Sequence, residues 1–189
     1  MQVVLASGSP RRLELLRRIG VEPAVRVADI DETPRPGEAP EAVVARLART
    51  KAHAVERGPA DLVIAADTEV VLDEAVLGKP DGDAGAAVML RSLSGRSHRV
   101  ITAVHVLHGD AEAAAVEATL VHVRPITDAE IDAYVATGEP FGKAGAYAIQ
   151  GAGAMFVDRI EGSDTNVVGL PLATVVRLAA EVGVTLLPR

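Results

Sequence analysis

Two long runs of β-type residues occupy the middle of this chain and limit the folds that it can adopt. They are Ser97–Leu107 and Ala113–Val123, and the turn-forming pair Gly109-Asp110 separates them. This pattern predicts an antiparallel hairpin. Strands and helices alternate on both sides of it, so a pure βαβ repeat does not fit. We therefore expect an α/β fold that is not built from parallel strands alone.

Apolar periodicity, capping residues and turn residues predict the remaining elements. The loop 31–40 contains three prolines and one glycine. The predicted strands are Val3–Ala6, Val25–Ile30, Leu62–Leu72, Met155–Ile160 and Val184–Leu187. The predicted helices are Pro10–Ile19, Pro40–Glu56, a helix capped by Asp83 that ends near Leu93, a helix opened by a capping box at Thr127 that ends near Thr137, and Pro171–Val182.

Length and composition narrow the class of protein. The 189 residues favour a single domain spanning positions 1–189, and the net charge of −7 argues against nucleic acid as a partner. The absence of cysteine excludes a thiolate metal site and a cysteine nucleophile. The sequence shows no apolar run long enough for a membrane span and no secretion signal, so we expect a cytoplasmic protein.

A strand, a small-residue turn and a helix follow one another near the N-terminus, as Val3–Ala6, Ser7–Ser9 and a helix that begins at Pro10. This arrangement can hold phosphate, because backbone N–H groups and the helix dipole favour an anion. Arg11 and Arg12 lie in the first helical turn, where the dipole disfavours cations. They suggest that an anion binds there. In the alternative, the turn only caps the helix and both arginines face solvent.

Acidic residues in two places are candidates for chemistry. Asp67 follows the apolar run Leu62–Ala66, and α/β folds place active groups at the carboxyl ends of buried strands. Asp31 and Glu32 lie in the proline-rich loop, and their oxygens would suit a divalent cation. Each has a simpler interpretation, Asp67 as the cap of a turn and Asp31 with Glu32 as a solvated acidic loop.

Four further residues are candidates for ligand contacts. Lys51 lies within the apolar stripe of its helix, so its ammonium must either reach solvent or meet an anion. Lys79 is held between a glycine and a proline, but it can equally be a surface residue. Lys143 and Gln150 lie in a glycine-rich segment that can approach a ligand closely, although Gln150 can also simply tie down its loop. The apolar stripe consists of Val43, Val44, Leu47, Ala48, Ala54 and Val55.

The histidines do not show the spacing of a metal site. The chain has five, and four of them fall on the predicted hairpin. None shows the i, i+4 helical pair that is typical of zinc sites. No histidine metal site is therefore expected.

Eight stretches carry a resemblance that spans nearly the whole chain. They are LASGSPRRLELL (Leu5–Leu16), the turn Ile30–Glu32, RLARTKA (Arg46–Ala52), AADT (Ala65–Thr68), LGKP (Leu77–Pro80), LSGRSHRVITAV (Leu93–Val104), GKAGAYAIQGAG (Gly142–Gly153) and NVVGLPL (Asn166–Leu172). Together, and in this order, they resemble the Maf family of nucleoside triphosphate pyrophosphatases.

The resemblance implies a fold and an activity. The fold would be a mixed α/β fold like that of inosine triphosphate pyrophosphatases, with a curved sheet, flanking helices and a deep cleft between two lobes. The activity would be hydrolysis of a nucleoside triphosphate to the monophosphate and pyrophosphate, with a divalent cation such as Mg²⁺ or Mn²⁺ and with Asp67 as proton acceptor. A homodimer and a house-cleaning or division-linked role are also expected.

The matching positions supply a set of site residues. Glu32 and Asp67 would hold the metal. Arg11, Thr68 and Gln150 match the family branch that acts on dTTP and UTP rather than on 7-methyl-GTP. Asp164 departs from the family, which usually carries an aromatic residue there. The residues expected to bind substrate are Ser7, Arg11, Arg12, Lys51, Thr68, Lys79, Lys143 and Gln150.

Two other functions fit the same residues. The first is a nucleotide-sensing regulator that binds without turnover, a role in keeping with the association of some family members with septum inhibition. The second is a sugar-phosphate nucleotidyltransferase, which would need a sugar phosphate for turnover. Release of pyrophosphate from dTTP without an added sugar phosphate would distinguish the hydrolase from both of these alternatives.

Overall fold

The structure is a computed structural model that describes residues 1–186. Within that range the strands are β1 (Val3–Leu5), β2 (Ala24–Val25), β3 (Leu62–Leu72), β4 (Ala75–Leu77), β5 (Ser97–His108), β6 (Ala111–Val123) and β7 (Val157–Glu161). The helices are α1 (Pro10–Arg18), α2 (Pro40–Ala54), α3 (Gly82–Leu93), α4 (Asp128–Ala136), α5 (Asp164–Val168) and α6 (Leu172–Glu181). None of these helices combines the length and the hydropathy that crossing a bilayer requires.

The strands form one mixed sheet. Its order is β2-β1-β3-β5-β6-β7, and β4 pairs with β3 outside that path. β1 runs parallel to both of its neighbours, with Val4 opposite Ala24 on one side and Val63 on the other. β4 is antiparallel to β3, and β7 is antiparallel to β6. The mixed α/β fold expected from the sequence is therefore confirmed.

Capping residues fix the helix ends where the sequence predicts them. Ser9 caps α1 by accepting the backbone N–H of Arg12, and Pro10 is the first helical residue. α1 ends just before Gly20, whose φ of +78° glycine adopts without strain. At the start of α4, Thr127 forms the predicted capping box with the side chain of the third helical residue.

The chain divides into two compact units. Unit 1 contains Met1–Thr68, Thr102–Glu117 and the segment that begins at Gly169, and unit 2 contains Glu69–Ile101 and Ala118–Val168. β3, β5 and β6 therefore contribute residues to both units. A single domain spanning 1–189 stays a prediction.

Each unit has its own buried apolar cluster. In unit 2 the rings of Tyr134 and Phe156 meet edge to face, with their centroids 5.0 Å apart. Around them pack buried side chains from α3, α4 and the strands of that unit. In unit 1 a buried cluster joins residues of β1, α2, β3 and β5 with their neighbours, namely Val4, Ala6, Ala52, Val55, Val63, Ala65 and Leu107.

Several predicted element boundaries are wrong. The strand predicted for Val25–Ile30 does not extend beyond Val25. The helix near Asp83 begins at Gly82, with Asp81 at the N-cap position, so Asp83 lies in its first turn. β7 starts only at Val157, because residues 152–156 form a 3₁₀ turn.

The remaining differences concern one helix face and very short elements. Ala54, the last residue of α2, is exposed, whereas Ala52, which the predicted stripe does not include, is buried. Residues 184–186 form no strand, and Leu187, the last residue of the strand predicted there, lies outside the described residues. β4 has three residues and α5 has five. Elements of this length are too short to show a hydrophobic period.

Candidate active site

Lys51 and Asp67 form a buried ion pair in unit 1. Lys51 follows Leu47 by four residues on the buried face of α2. Asp67 follows five buried residues of β3. The Lys51 ammonium donates to Asp67 Oδ1 at 2.6 Å, and each side chain is only 11% exposed. Of the two alternatives for Lys51, the structure therefore shows that it meets an anion, and this anion belongs to the chain itself.

A second carboxylate reaches the same ammonium. Glu32 Oε1 lies 3.0 Å from Lys51 Nζ, and the Glu32 side chain is more than half exposed. Its neighbour Asp31 instead accepts the backbone N–H of Thr33 at 2.9 Å. Hydrogen bonds with Thr33 hold the pKa of Asp31 below its usual value. Of the two acidic residues in this loop, Glu32 joins the pair and Asp31 stabilises the loop.

Arg12 is buried and connects the N-terminal turn to two distant segments of unit 1. Its side chain donates to Ser7 Oγ at 3.0 Å, to Thr68 Oγ1 at 3.0 Å and to the carbonyl of Gly169 at 2.8 Å. These acceptors are neutral oxygens. Burial lowers the pKa of Arg12 to about 10, and the charge of Asp67 partly opposes this. A buried guanidinium with neutral acceptors would gain strongly from an anionic ligand.

The structure agrees only in part with the interpretation in which the turn before α1 merely caps the helix. Ser9 does cap the helix, and its own backbone N–H lies 3.3 Å from Ser7 Oγ. Arg12, however, is buried, and Arg11 is half-buried with a pKa that burial lowers. The alternative in which both arginines face solvent is therefore wrong. The arrangement brings two cations to the N-terminus of a helix, where an anion would be favoured.

Asp67 and Glu32 fit a divalent cation by donor type and by placement. Carboxylate oxygens are the donors that Mg²⁺ and Mn²⁺ prefer. Both carboxylates converge on one point, the ammonium of Lys51. The ammonium contacts one oxygen of each carboxylate, so each residue retains a second oxygen that can act as a ligand.

Three of the residues predicted to bind substrate lie in unit 2. Lys79 is exposed in the segment after β4, and Gln150 is exposed in the glycine-rich segment. Lys143 is partly buried, and its ammonium donates to the carbonyl of Glu139. Their roles in substrate binding stay predictions.

Glu139 organises the glycine-rich segment and was not found from the sequence. Its carboxylate accepts the backbone N–H groups of Ala152 at 3.0 Å and Gly153 at 2.9 Å, and the hydroxyl of Tyr134 at 2.7 Å. Burial acts to raise the pKa of Glu139, but these hydrogen bonds outweigh it and the pKa is lowered. A Cβ on Gly151 would collide with this carboxylate. The glycines of this segment were therefore the only feature of the local sequence that could have pointed to the role of Glu139.

Two histidines from different elements come together in unit 1, an arrangement that helical spacing did not predict. His53, His105 and Glu112 each offer one ligand atom, and these atoms lie within 4.8 Å of one another. The three residues come from α2, β5 and β6. Spacing along a single helix could not reveal a cluster built from three elements.

Fold and side chains together define an α/β protein that combines buried cations with the buried carboxylate of Asp67 and the more exposed carboxylate of Glu32, a set of groups suited to a phosphorylated ligand. Residues 2–182 match the sequence model of the family described as Maf-like protein. The chain therefore belongs to the Maf family.

Two relatives with about half of their residues identical to this chain agree with this assignment. A dTTP/UTP pyrophosphatase of Anaeromyxobacter dehalogenans (strain 2CP-1) is 53% identical over 186 residues, which cover 96% of this chain and 94% of the relative. A dTTP/UTP pyrophosphatase of Myxococcus xanthus is 51% identical over 185 residues, covering 97% and 94%. Among solved structures, a HAM1 protein from Coxiella burnetii is similar with a TM-score of 0.45 and 19% identity, over 65% of this chain and 73% of that chain.

Proposed function

We propose that this chain hydrolyses dTTP and UTP to the nucleoside monophosphate and pyrophosphate. The observation that carries the proposal is the similarity to dTTP/UTP pyrophosphatases, which reaches 53% identity over 96% of the chain. The buried pair of Lys51 and Asp67 supplies a carboxylate and a cation of the kind that this chemistry needs. The enzyme would be a hydrolase acting on phosphoric anhydrides.

In the proposed reaction, Asp67 acts as the general base. The oxygen of a water molecule forms a bond to the α-phosphorus, and the water proton passes to the carboxylate of Asp67. The bond from the α-phosphorus to the bridging oxygen breaks, and pyrophosphate leaves. The ammonium of Lys51 holds the Asp67 carboxylate in place through its 2.6 Å contact with Oδ1.

Cationic groups of unit 1 stabilise the charge of the triphosphate in this proposal. Arg11 and Arg12 lie at the N-terminus of α1, where backbone N–H groups also favour an anion. Ser7 receives one N–H of Arg12 and can turn its hydroxyl proton toward a phosphate oxygen. Lys79 and Lys143 would add positive charge, as the family resemblance implies.

A divalent cation, Mg²⁺ or Mn²⁺, would be held by Asp67 and Glu32. When bound, it would neutralise phosphate charge and polarise a phosphoryl oxygen. When no divalent cation is bound, the Lys51 ammonium, which contacts both carboxylates, would keep them close together.

The base would be selected by residues that carry no net charge. Thr68 Oγ1 accepts from Arg12 and lies 2.9 Å from Thr102 Oγ1, so its orientation is fixed. Gln150 carries an amide that can both donate to and accept from the polar edge of uracil or thymine. With Arg11, these residues form the combination that favours pyrimidine triphosphates.

The proposal also covers domain organisation, oligomeric state, location and cellular role. Both units would belong to one Maf-like domain, since the family match extends over residues 2–182 and so includes both. A homodimer, a cytoplasmic location and a house-cleaning or division-linked role stay predictions.

A panel of nucleoside triphosphates tests the proposal directly. Pyrophosphate release would be measured for dTTP, UTP, ATP, GTP and 7-methyl-GTP, with and without Mg²⁺. We expect release from dTTP and UTP when Mg²⁺ is present and no sugar phosphate is added. Binding without release would favour the nucleotide-sensing regulator, and release only after addition of a sugar phosphate would favour the nucleotidyltransferase.

A further inference from the structure

Three metal-ligating side chains meet on unit 1 at a place that the proposed reaction does not use. Nε2 of His53 lies 3.1 Å from Glu112 Oε2, and Nε2 of His105 lies 3.2 Å from the same oxygen. The two imidazole rings are 5.6 Å apart between centroids. Two imidazole nitrogens and a carboxylate oxygen therefore converge on a small volume.

This cluster is distinct from the pair formed by Lys51. His53 follows Lys51 by two residues on α2, and residues at that spacing point to different sides of a helix. Lys51 is buried against Asp67, whereas 44% of the His53 side chain is exposed. An ion at His53 would thus lie away from the Lys51–Asp67 pair, on the side of α2 where His53 meets β5 and β6.

We propose that His53, His105 and Glu112 bind one divalent transition-metal ion of the zinc class. Two histidines and one carboxylate are a known protein ligand set for zinc, with a fourth position left for water. Imidazole nitrogens favour zinc, copper and nickel, whereas Mg²⁺ prefers an all-oxygen set. The ligand chemistry therefore separates this site from the carboxylate pair of Asp67 and Glu32.

The distances suit such an ion with little rearrangement. Bonds of about 2.0–2.1 Å in a tetrahedral site put ligand atoms about 3.4 Å apart, and both nitrogens already lie 3.1–3.2 Å from the Glu112 oxygen. The side chain of His105 is 6% exposed and is held in place by its surroundings. The exposed side chains of His53 and Glu112 can close the remaining gap by rotation.

An ion can reach the cluster from solvent. An open depression beside it is lined by Arg46, Arg49, Thr50, His53 and Ala54. Arg49 is a competing cation, with NH2 3.7 Å from Glu112 Oε1 and a side chain that is 61% exposed. Exposed ion pairs of this length contribute little and are readily given up, so Arg49 can swing away when an ion binds.

Zinc titration of the full chain tests the proposal. Calorimetry would be run with a large excess of Mg²⁺, which occupies sites made only of oxygen ligands. We expect one Zn²⁺ per chain in the wild type. His53→Ala and Glu112→Gln should each weaken binding by at least about tenfold, since even the loss of an outer partner of a metal ligand costs 10–100-fold. Both residues are exposed, so neither change should prevent folding.

A matched control and a spectroscopic readout make the test decisive. His122 also pairs with a glutamate, Glu161, at 2.9 Å, but it belongs to no three-ligand cluster within residues 1–186. His122→Ala should therefore bind Zn²⁺ as the wild type does. Co²⁺ should give a visible absorption band in the wild type and in His122→Ala but not in His53→Ala. Wild-type zinc affinity in His53→Ala, or no Zn²⁺ bound by the wild type, would overturn the proposal. Neither result bears on pyrophosphate release.

Discussion

The ammonium nitrogen of Lys51 lies 2.6 Å from Oδ1 of Asp67, and both side chains are almost completely removed from solvent. The cost of burying each charge is therefore offset mainly by the opposite charge of the other side chain. Glu32 adds a second, more exposed carboxylate at 3.0 Å. This relationship makes Asp67 a catalytic candidate whose orientation depends on a residue from another element.

Asp67→Asn should greatly reduce turnover, and the protein should still fold because the Glu32 carboxylate remains 3.0 Å from the Lys51 ammonium. The amide oxygen can still accept from Lys51, but it cannot take a proton at neutral pH. Loss of a general base reduces kcat by roughly 10²–10⁴-fold, which pyrophosphate release from dTTP would measure. Asp73→Asn is the matched control, because Asp73 is exposed and its φ of +54° suits asparagine. Retention of more than about a tenth of wild-type kcat by Asp67→Asn would remove Asp67 from the reaction.

Lys51→Met should destabilise the protein as well as inactivate it. The change keeps an apolar stem but leaves Asp67 buried without its cation, and breaking a buried pair costs about 3–5 kcal/mol. Urea unfolding at neutral pH would measure the free energy of unfolding. The double variant Lys51→Met with Asp67→Asn should recover part of this loss, since neither side chain of the pair then leaves the other as an uncompensated buried charge. Unchanged stability in Lys51→Met would contradict a compensating role for the pair.

His98 should make the stability of unit 2 depend on pH. Burial lowers the pKa of His98 to about 4, with a smaller effect from the charge of His122. Its Nε2 pairs with the hydroxyl of Tyr147 at 2.8 Å, and its Nδ1 has no hydrogen-bond partner among the described residues. A proton on this ring would therefore be poorly compensated.

The sign and size of this effect follow from linkage. Between the unfolded pKa near 6.5 and the folded value near 4, the unfolded chain binds a proton that the folded chain does not. Stability should therefore fall as pH falls through that window, by about 3 kcal/mol in total. Urea unfolding at several pH values would show this slope, and His98→Gln should reduce it. His108→Gln, a control in unit 1, should keep the wild-type slope, and an equal slope in His98→Gln would refute the prediction.

Gln150→Glu should weaken the preference for pyrimidine triphosphates. Glutamate loses the amide donor, and a polar group left unpaired where the bound nucleotide covers it costs about 1–3 kcal/mol. The value of kcat/KM for UTP and dTTP should therefore fall about tenfold to a hundredfold. Gln2→Glu makes the same change at the other glutamine of the chain and should have no effect. Equal kcat/KM for UTP and 7-methyl-GTP in the wild type would refute the specificity while leaving pyrophosphate release untouched.

The sequence by itself determined the elements whose signals are local. The hairpin around Gly109-Asp110, the cap at Ser9, the capping box at Thr127 and the emergence of Asp67 from a buried strand all depend on residues a few positions apart. The family resemblance added the set of candidate residues. Short elements such as β4 and α5 were missed because three or five residues carry no measurable period.

Only the tertiary structure decided how these candidates are paired. From helical periodicity, Lys51 had two alternatives, and the packing of α2 against β3 selected the contact with Asp67. Arg12 bonds to the carbonyl of Gly169, 157 residues away, and His53 meets Glu112 across 59 residues. Such contacts depend on which elements pack together and in which register, and no periodicity within one element encodes that choice.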